Sequence, residues 1–219
     1  MVRGGQQSEL MPTNRRIESF SDAVFAIVVT IMVLEIHIPD SFALAIDERA
    51  FQQFGGTVAA YALSFLVIAN LWTSHHYLVF TLSRPARSTL WFNNLLLFCV
   101  SLIPLTTSFL GRFPSAPRAA AAFGLVAVAC TASFMLLRSH AARVTHNEVH
   151  RGIHQRVLRL SWLFLAIYAA SVPLAFVSPW LAWACFVVVP PMLFLPIIRA
   201  TASPKPSPQE HRGLEHSCP

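Results

Sequence analysis

Charged residues are scarce in this sequence. Asp, Glu, Lys and Arg make up 12% of its 219 residues, whereas an ordinary soluble domain contains roughly 25%. Hydrophobic residues account for 55% and fall into long apolar runs, and about 20 such residues suffice for a helix to cross a bilayer. Because these runs occupy most of the chain, there is no room for a soluble catalytic domain. The composition therefore predicts an all-α membrane protein with a single membrane domain.

Two further features are missing. The four cysteines, Cys99, Cys130, Cys185 and Cys218, include no CxxC pair, so neither a disulfide framework nor a zinc site is expected. The N-terminus lacks the short apolar stretch and small-residue cleavage site of a removable signal peptide. The first span is therefore expected to remain in the mature protein.

Six apolar runs are separated by segments that contain proline, arginine and glycine, which indicates six membrane-spanning helices. The predicted spans are residues 17–38, 53–80, 90–111, 119–137, 157–178 and 180–199. We interpret residues 1–199 as one six-helix transmembrane domain. Residues 200–219 are rich in proline and carry mixed charge, which is typical of a disordered tail.

The cationic residues are distributed unevenly along the chain, and the loop of residues 138–156 is especially basic. If the N-terminus is inside, the only Lys or Arg in outer loops are Arg49, Arg112 and Arg118 out of 16 in total. The positive-inside rule then places both termini in the cytoplasm, in agreement with an even number of spans. The net charge of +6 is therefore a sign of membrane topology, and no nucleic-acid partner is expected.

Several polar residues lie inside the first three spans at a similar depth. They are Asp22 in span one, Trp72, His75 and His76 in span two, and Asn93 and Asn94 in span three. An unpaired polar group in hydrocarbon costs several kcal/mol, so we expect one hydrogen-bonded cluster that joins the three helices. This cluster either takes part in gating or only holds the helices together. A metal site is not expected, because adjacent histidines point about 100° apart on a helix.

One face of span one is almost entirely apolar. A helical wheel at about 100° per residue puts five residues on one stripe. They are Ile27, Thr30, Ile31, Leu34 and Ile38. Asp22 lies about 140° away from this stripe, so the helix directs its carboxylate into the bundle and its branched aliphatic face elsewhere. Periodicity alone favours lipid as the neighbour of that face.

The start of span one, Arg16-x-x-x-Phe20-Ser21-Asp22, resembles the signature of the transmembrane protein 175 family of potassium channels. The rest of the span, residues 23–36, is also similar to that family. Further similarity lies in NLWTSHH at residues 70–76, NNLLL at residues 93–97 and LIP at residues 102–104. The resemblance extends over about residues 14–112 and thins to hydropathy alone beyond them.

The resemblance implies a homotetrameric potassium channel of the cell membrane, with six spans per subunit and a pore lined by the first helix. By position, it implies a hydrophobic constriction at Ile27, Ile31 and Leu34 and a hydroxyl layer at Thr30, in place of the lipid-facing interpretation. It also implies a signature and gating network. Its members are Arg16, Phe20, Ser21, Asp22, Trp72, His75, His76, Asn93 and Asn94. Potassium is the expected permeant ion, with modest selectivity over sodium and no metal or other cofactor.

Two other functions can be drawn from the same residues. A proton-coupled secondary transporter would relay protons through Asp22 and His75 or His76, but the sequence has no obvious inverted repeat. An intramembrane hydrolase would use Ser21, Asp22 and His75. Ser21 and Asp22 point apart on a helix, and no motif supplies an oxyanion hole, so we expect no enzymatic activity.

Overall fold

The computed structural model describes residues 14–36, 48–82, 86–144 and 148–201. These residues form seven helices. The helices are α1 (Asn14–Leu34), α2 (Glu48–Phe80), α3 (Arg87–Ser101), α4 (Ile103–Arg112), α5 (Pro117–Val144), α6 (Glu148–Val177) and α7 (Pro179–Thr201). The predicted all-α fold is confirmed. Ile38 and the tail from residue 202 onward lie outside the described residues.

Five apolar stretches of the described residues are long enough to cross a membrane, and they lie where the hydropathy pattern predicts them. They are Arg15–Leu34, Gln53–Phe80, Arg87–Arg112, Pro117–Arg143 and Val157–Val177. The sixth predicted span, residues 180–199, corresponds to α7, in which the structure describes side chains as far as Met192. Helices satisfy their backbone N–H and C=O groups internally, which a bilayer requires of any spanning segment.

Span three differs from the single helix predicted for residues 90–111. It consists of α3 and α4, and the helix is interrupted at Leu102. Pro104 explains the interruption, because it has no N–H to donate to the carbonyl of Val100 and its ring collides with the preceding turn. Since α1 contacts both α3 and α4, the break in span three lies beside the first helix.

Span four is longer than predicted. The predicted span ends at residue 137 and assigns Arg138 to the basic loop, but α5 continues to Val144 and buries the Arg138 side chain. The segment from Leu136 to Val144 contains no glycine or proline and is rich in good helix formers, so nothing in it ends the helix. Arg138 is therefore part of the bundle and not of a solvated loop.

Two clusters of buried apolar side chains hold the bundle together. The first joins α1 to α2, α3 and α5 and includes Phe25, Met32, Ile68 and Leu96. The second joins α2, α4, α5, α6 and α7, with Phe186 among its fully buried members. α1 packs against α2, α3 and α4. It lies at the side of the bundle, where one of its faces is covered and the opposite one is open.

Gly111 of α4 lies against α2 with no room for a side chain. A Cβ at this position would lie 2.9 Å from the Cα of Thr57, whose hydroxyl donates to the Gly111 carbonyl at 3.3 Å. We expect Gly111→Ala to reduce stability by about 1–3 kcal/mol, because only a backbone shift relieves the collision. Thermal unfolding in detergent measures the loss. Gly55→Ala is the matched control, since a Cβ there meets nothing within 4 Å; equal losses in both variants would contradict the close packing.

Candidate functional site

A buried chain of hydrogen bonds joins α1, α2 and α3. Asn93 donates from its amide nitrogen to the Ser21 hydroxyl at 3.1 Å, and its amide oxygen lies 2.7 Å from His75 Nε2. The residues Ser21, His75 and Asn93 are 0%, 1% and 2% exposed, and we call them the buried polar cluster. Because an amide oxygen can only accept, Nε2 of His75 carries the proton in this arrangement.

The buried polar cluster sets the rotation of α1. Phe25, one turn after Ser21, is 3% exposed, and its ring centroid lies 5.8 Å from that of His75. Turning α1 away would separate Ser21 from Asn93 and leave polar groups unpaired in an apolar surrounding. The cluster therefore holds this face of α1 toward α2 and α3.

A second set of polar contacts joins α1 to α2 at a more exposed level. Trp72 Nε1 donates to Asp22 Oδ1 at 2.8 Å, and His76 Nδ1 lies 3.2 Å from Glu18 Oε1. The rings of Trp72 and His76 stack with their centroids 5.9 Å apart. The Asp22 carboxylate is thus held by an indole N–H and not by a histidine.

Glu18 was not predicted as a member of this set. Its spacing was the available signal, because Glu18 precedes Asp22 by four residues and so lies on the same face of α1. His76 likewise follows Trp72 by four residues on α2. The two contacts therefore repeat one turn apart along the α1–α2 interface.

The residues of the apolar stripe that the structure describes lie together on the open side of α1. We call Ile27, Thr30, Ile31 and Leu34 the outer face. Ile27, Ile31 and Leu34 are 56%, 43% and 77% exposed, and Thr30 is exposed as well. Met32, on the opposite side of the helix, is 1% exposed. The Thr30 hydroxyl donates to the Ile27 carbonyl at 2.9 Å, within the helix itself.

Three residues of the predicted network belong neither to the buried polar cluster nor to the second set of contacts. Phe20 is 58% exposed and stands in line with the outer face, because it precedes Ile27 by about two helical turns. Arg16 at the start of α1 is exposed, and so is Asn94. The side chain of Asn94 points in a different direction from that of Asn93, because adjacent residues of a helix point about 100° apart. Of the two asparagines, the structure brings only Asn93 to Ser21 and His75.

A groove of about 430 Å³ opens beside the outer face, between α1 and the interrupted span three. It is lined by Val24, Ile27, Val28, Ile31, Glu35, Ser101, Pro104, Leu105 and Ser108. At one side of it, Ser108 donates to the Glu35 carboxylate at 2.9 Å. The groove provides free volume next to α1 at the level where span three is broken.

Metal ligands are not gathered anywhere in the part of the chain that the structure describes, where no three His, Cys, Asp or Glu side chains form a group that could hold a metal ion. Cys99, Cys130 and Cys185 are free thiols. The histidines of the site instead lie within hydrogen-bond distance of Asn93 and Glu18.

Comparisons of the sequence and of the fold with known proteins identify the family of this chain. Residues 16–104 match the family described as endosomal/lysosomal potassium channel TMEM175. The chain is 33% identical over 175 residues to a potassium channel of Streptomyces collinus, covering 77% of this chain and 85% of that protein. It is 30% identical over 186 residues to the endosomal/lysosomal proton channel TMEM175 of Homo sapiens, covering 76% of this chain and 36% of that protein. Its fold is similar to the crystal structure of a lysosomal potassium-selective channel TMEM175 homologue from Chamaesiphon minutus, with a TM-score of 0.75, 26% identity, and coverage of 84% of this chain and 97% of that one. The chain therefore belongs to the TMEM175 family.

Proposed function

We propose that the protein is a potassium-permeable cation channel of the cell membrane, in which α1 of four identical subunits lines the ion path. The observation that carries this proposal is the outer face of α1, which is apolar apart from Thr30 and stays open while the opposite face is closed by packing. Family membership supports it, since the relative from Streptomyces collinus is named a potassium channel.

The outer face suits a hydrophobic constriction. In a fourfold arrangement Ile27, Ile31 and Leu34 form three apolar rings, spaced about 4.5–6 Å apart by the helical rise. Narrow apolar rings exclude water and thereby ions, whereas wider rings allow a continuous water column. Opening then requires α1 to move outward or to rotate, and the groove beside the outer face supplies space for such a movement.

Thr30 supplies the polar layer between these rings. Its hydroxyl proton is used by the bond to the Ile27 carbonyl, which leaves the oxygen lone pairs as acceptors. Four such oxygens replace part of the hydration shell of a passing cation, and weakly hydrated potassium loses less there than sodium does. Because one hydroxyl layer replaces few water molecules, the selectivity for potassium is modest.

The polar contacts of α1 act as an anchor in this proposal. The buried polar cluster and the Asp22–Trp72 hydrogen bond hold the first half of α1 against α2 and α3. We infer from the distribution of Lys and Arg that this half lies near the cytoplasm. Movement of the rings relative to the anchor is then the gating step. Asp22 holds α1 in place through its hydrogen bond to Trp72 and does not itself coordinate the ion.

Ion flux into liposomes tests the proposed function. Purified full-length protein is reconstituted, and a potassium-sensitive dye reports flux down a potassium gradient, with protein-free liposomes as the control. We expect a potassium flux that rises linearly with the gradient and needs no proton gradient. A saturable flux that depends on a proton gradient would contradict the channel and favour the proton-coupled transporter.

Removing the Thr30 hydroxyl is expected to weaken selectivity. Thr30→Val keeps the shape of the side chain and should lower the potassium over sodium permeability ratio toward one, because the ring of hydroxyl oxygens is removed. Reversal potentials under bi-ionic conditions measure this ratio. Thr131→Val is the matched control, because Thr131 of α5 also donates to a carbonyl of its own helix, that of Ala127 at 2.8 Å. An unchanged ratio in Thr30→Val would exclude Thr30 as the selective layer.

A further inference from the structure

Phe20 is a large apolar side chain on the open side of α1. It is 58% exposed, whereas Ile17 and Phe25 on the covered side of the helix are 4% and 3% exposed. The next two residues, Ser21 and Asp22, turn toward the neighbouring helices, where they accept hydrogen bonds. Phe20 therefore points away from the polar contacts that hold α1 and toward whatever lies outside the subunit.

The open side of α1 has a heptad pattern. Six exposed residues form two series with a spacing of seven residues, namely Phe20, Ile27 and Leu34, and Arg16, Ala23 and Thr30. The two series alternate at intervals of four and three residues, as the core positions do in a parallel helix bundle whose seam faces its axis. Phe20 and Ala23 thus belong to the same seam as the rings of the proposed pore.

The path of α1 carries Phe20 to the same axis as Ile27. The helix contains no proline or glycine between Asn14 and Leu34, so nothing in its sequence kinks it. A straight helix drifts by about 20° per heptad, which is too little to turn a side chain off the seam. If Ile27 lines the ion path, four Phe20 side chains form a further apolar ring ~10.5 Å closer to the start of α1.

Ala23 lies between the rings of Phe20 and Ile27. The helical rise places it ~4.5 Å from the level of Phe20 and ~6 Å from that of Ile27. Its side chain is a single methyl group, so the path is wider at this level than at either ring. The two rings therefore enclose a chamber that four Ala23 residues line.

The Phe20 ring lies on the part of α1 that is held in place. The neighbouring Ser21 is fully buried and bonded to Asn93, and Asp22 accepts the N–H of Trp72. Gating in the proposed pore moves the later rings relative to this anchor. The ring of Phe20 therefore keeps its width while the rings beyond it open and close.

We infer that the four Phe20 side chains form a size filter at the end of the pore nearer the cytoplasm, which admits small cations to the chamber at Ala23 and excludes bulky organic cations. The inference rests on the proposed pore and adds to it a fixed entrance. A phenyl group is large enough to narrow the path and has no group that coordinates an ion, so the ring selects by size alone.

Thiol modification of Ala23→Cys in liposomes tests the filter. Cys185→Ser and Cys218→Ser leave the two buried native thiols of the spans, and a methanethiosulfonate reagent is present on both sides of the membrane. We expect Phe20→Ala to speed modification by a reagent with a trimethylammonium group about tenfold, and by its smaller ammonium analogue at most about twofold. Phe20→Leu should give an intermediate rate and decides the result if Phe20→Ala does not fold. Intact mass spectrometry measures both rates.

Phe80→Ala is the matched control. Phe80 is 81% exposed at the end of α2, one turn after His76, which contacts Glu18 near the start of α1. We expect this change to leave both rates as they are. An unchanged rate in Phe20→Ala would overturn the inference, and so would equal acceleration of the two reagents, because size would then not matter.

An introduced thiol that reacts in neither background would also overturn the inference, because Ala23 would then face lipid or another helix. Potassium flux through the same liposomes separates this failure from that of the proposed function. A conducting protein with any of these results is a channel without a filter at Phe20, whereas a protein without flux contradicts the channel itself.

Discussion

Replacing Ile27 with asparagine is expected to raise the potassium flux of the reconstituted protein about tenfold. Ile27 is 56% exposed on the outer face of α1, so in the proposed pore its side chains form an apolar ring. An amide in this ring holds water in the constriction and lowers the barrier to ion passage that dewetting creates. A tenfold increase corresponds to a barrier that is lower by ~1.4 kcal/mol. The liposome flux assay and single-channel recording in planar bilayers both measure it.

Val187→Asn is the matched control for the Ile27 variant. Val187 of α7 is 55% exposed, so the same amide is introduced at an equally open apolar position on a different helix. We expect an unchanged flux there, because Val187 is not on the proposed ion path. If Ile27→Asn leaves both conductance and permeability ratio at the wild-type values, α1 does not line the pore.

Asn93→Leu is expected to destabilise the protein by about 2 kcal/mol and to alter its potassium flux. Asn93 is hydrogen-bonded to both Ser21 and His75, and leucine has the same branching and number of heavy atoms but no polar atoms. The change leaves two buried groups unpaired, each at a cost of about 1 kcal/mol. Without these two hydrogen bonds, the rotation of α1 is no longer fixed. Thermal unfolding in detergent and the liposome flux assay measure the two effects.

Asn94→Leu is a close control, because it makes the same change at the next residue, whose side chain is exposed. We expect its melting temperature and flux to stay near the wild-type values. Equal destabilisation of the two variants would show that span three is sensitive to any loss of polarity here. A destabilised Asn93→Leu with wild-type flux would mean that the buried polar cluster only holds the helices together.

Depth and helical period predicted the level of the polar contacts and the separation of Asp22 from the outer face, but not the orientation of every polar side chain. The rise of a helix is nearly constant, so residues counted from the ends of their spans can be placed at one level before any contact is known. His75 and Asn93 do lie at one level and meet Ser21 there. The wheel also separated Asp22 from the outer face correctly, because the angle between two residues of one helix depends on the backbone alone.

Exact partners could not be predicted in the same way. The sequence left open which histidine pairs with Asp22 and which asparagine enters the cluster, because these choices depend on the distance and rotation between helices. In the structure Trp72 occupies the place beside Asp22, and Glu18 faces His76. Likewise, Pro104 was visible in the sequence, but a proline can either kink or end a helix, and only the structure shows that α3 and α4 are separate helices.

The sequence by itself determined that this protein spans a membrane with apolar helices, that its first helix has a polar side and an apolar side, and which family it resembles. These properties follow from composition, period and rise, which are local to each helix. Only the tertiary structure decided that Asn93 is the shared partner of Ser21 and His75, that a groove lies beside the outer face, and that the Arg138 side chain is buried. These depend on contacts between residues far apart in the chain, because interhelical distance and rotation are set by packing.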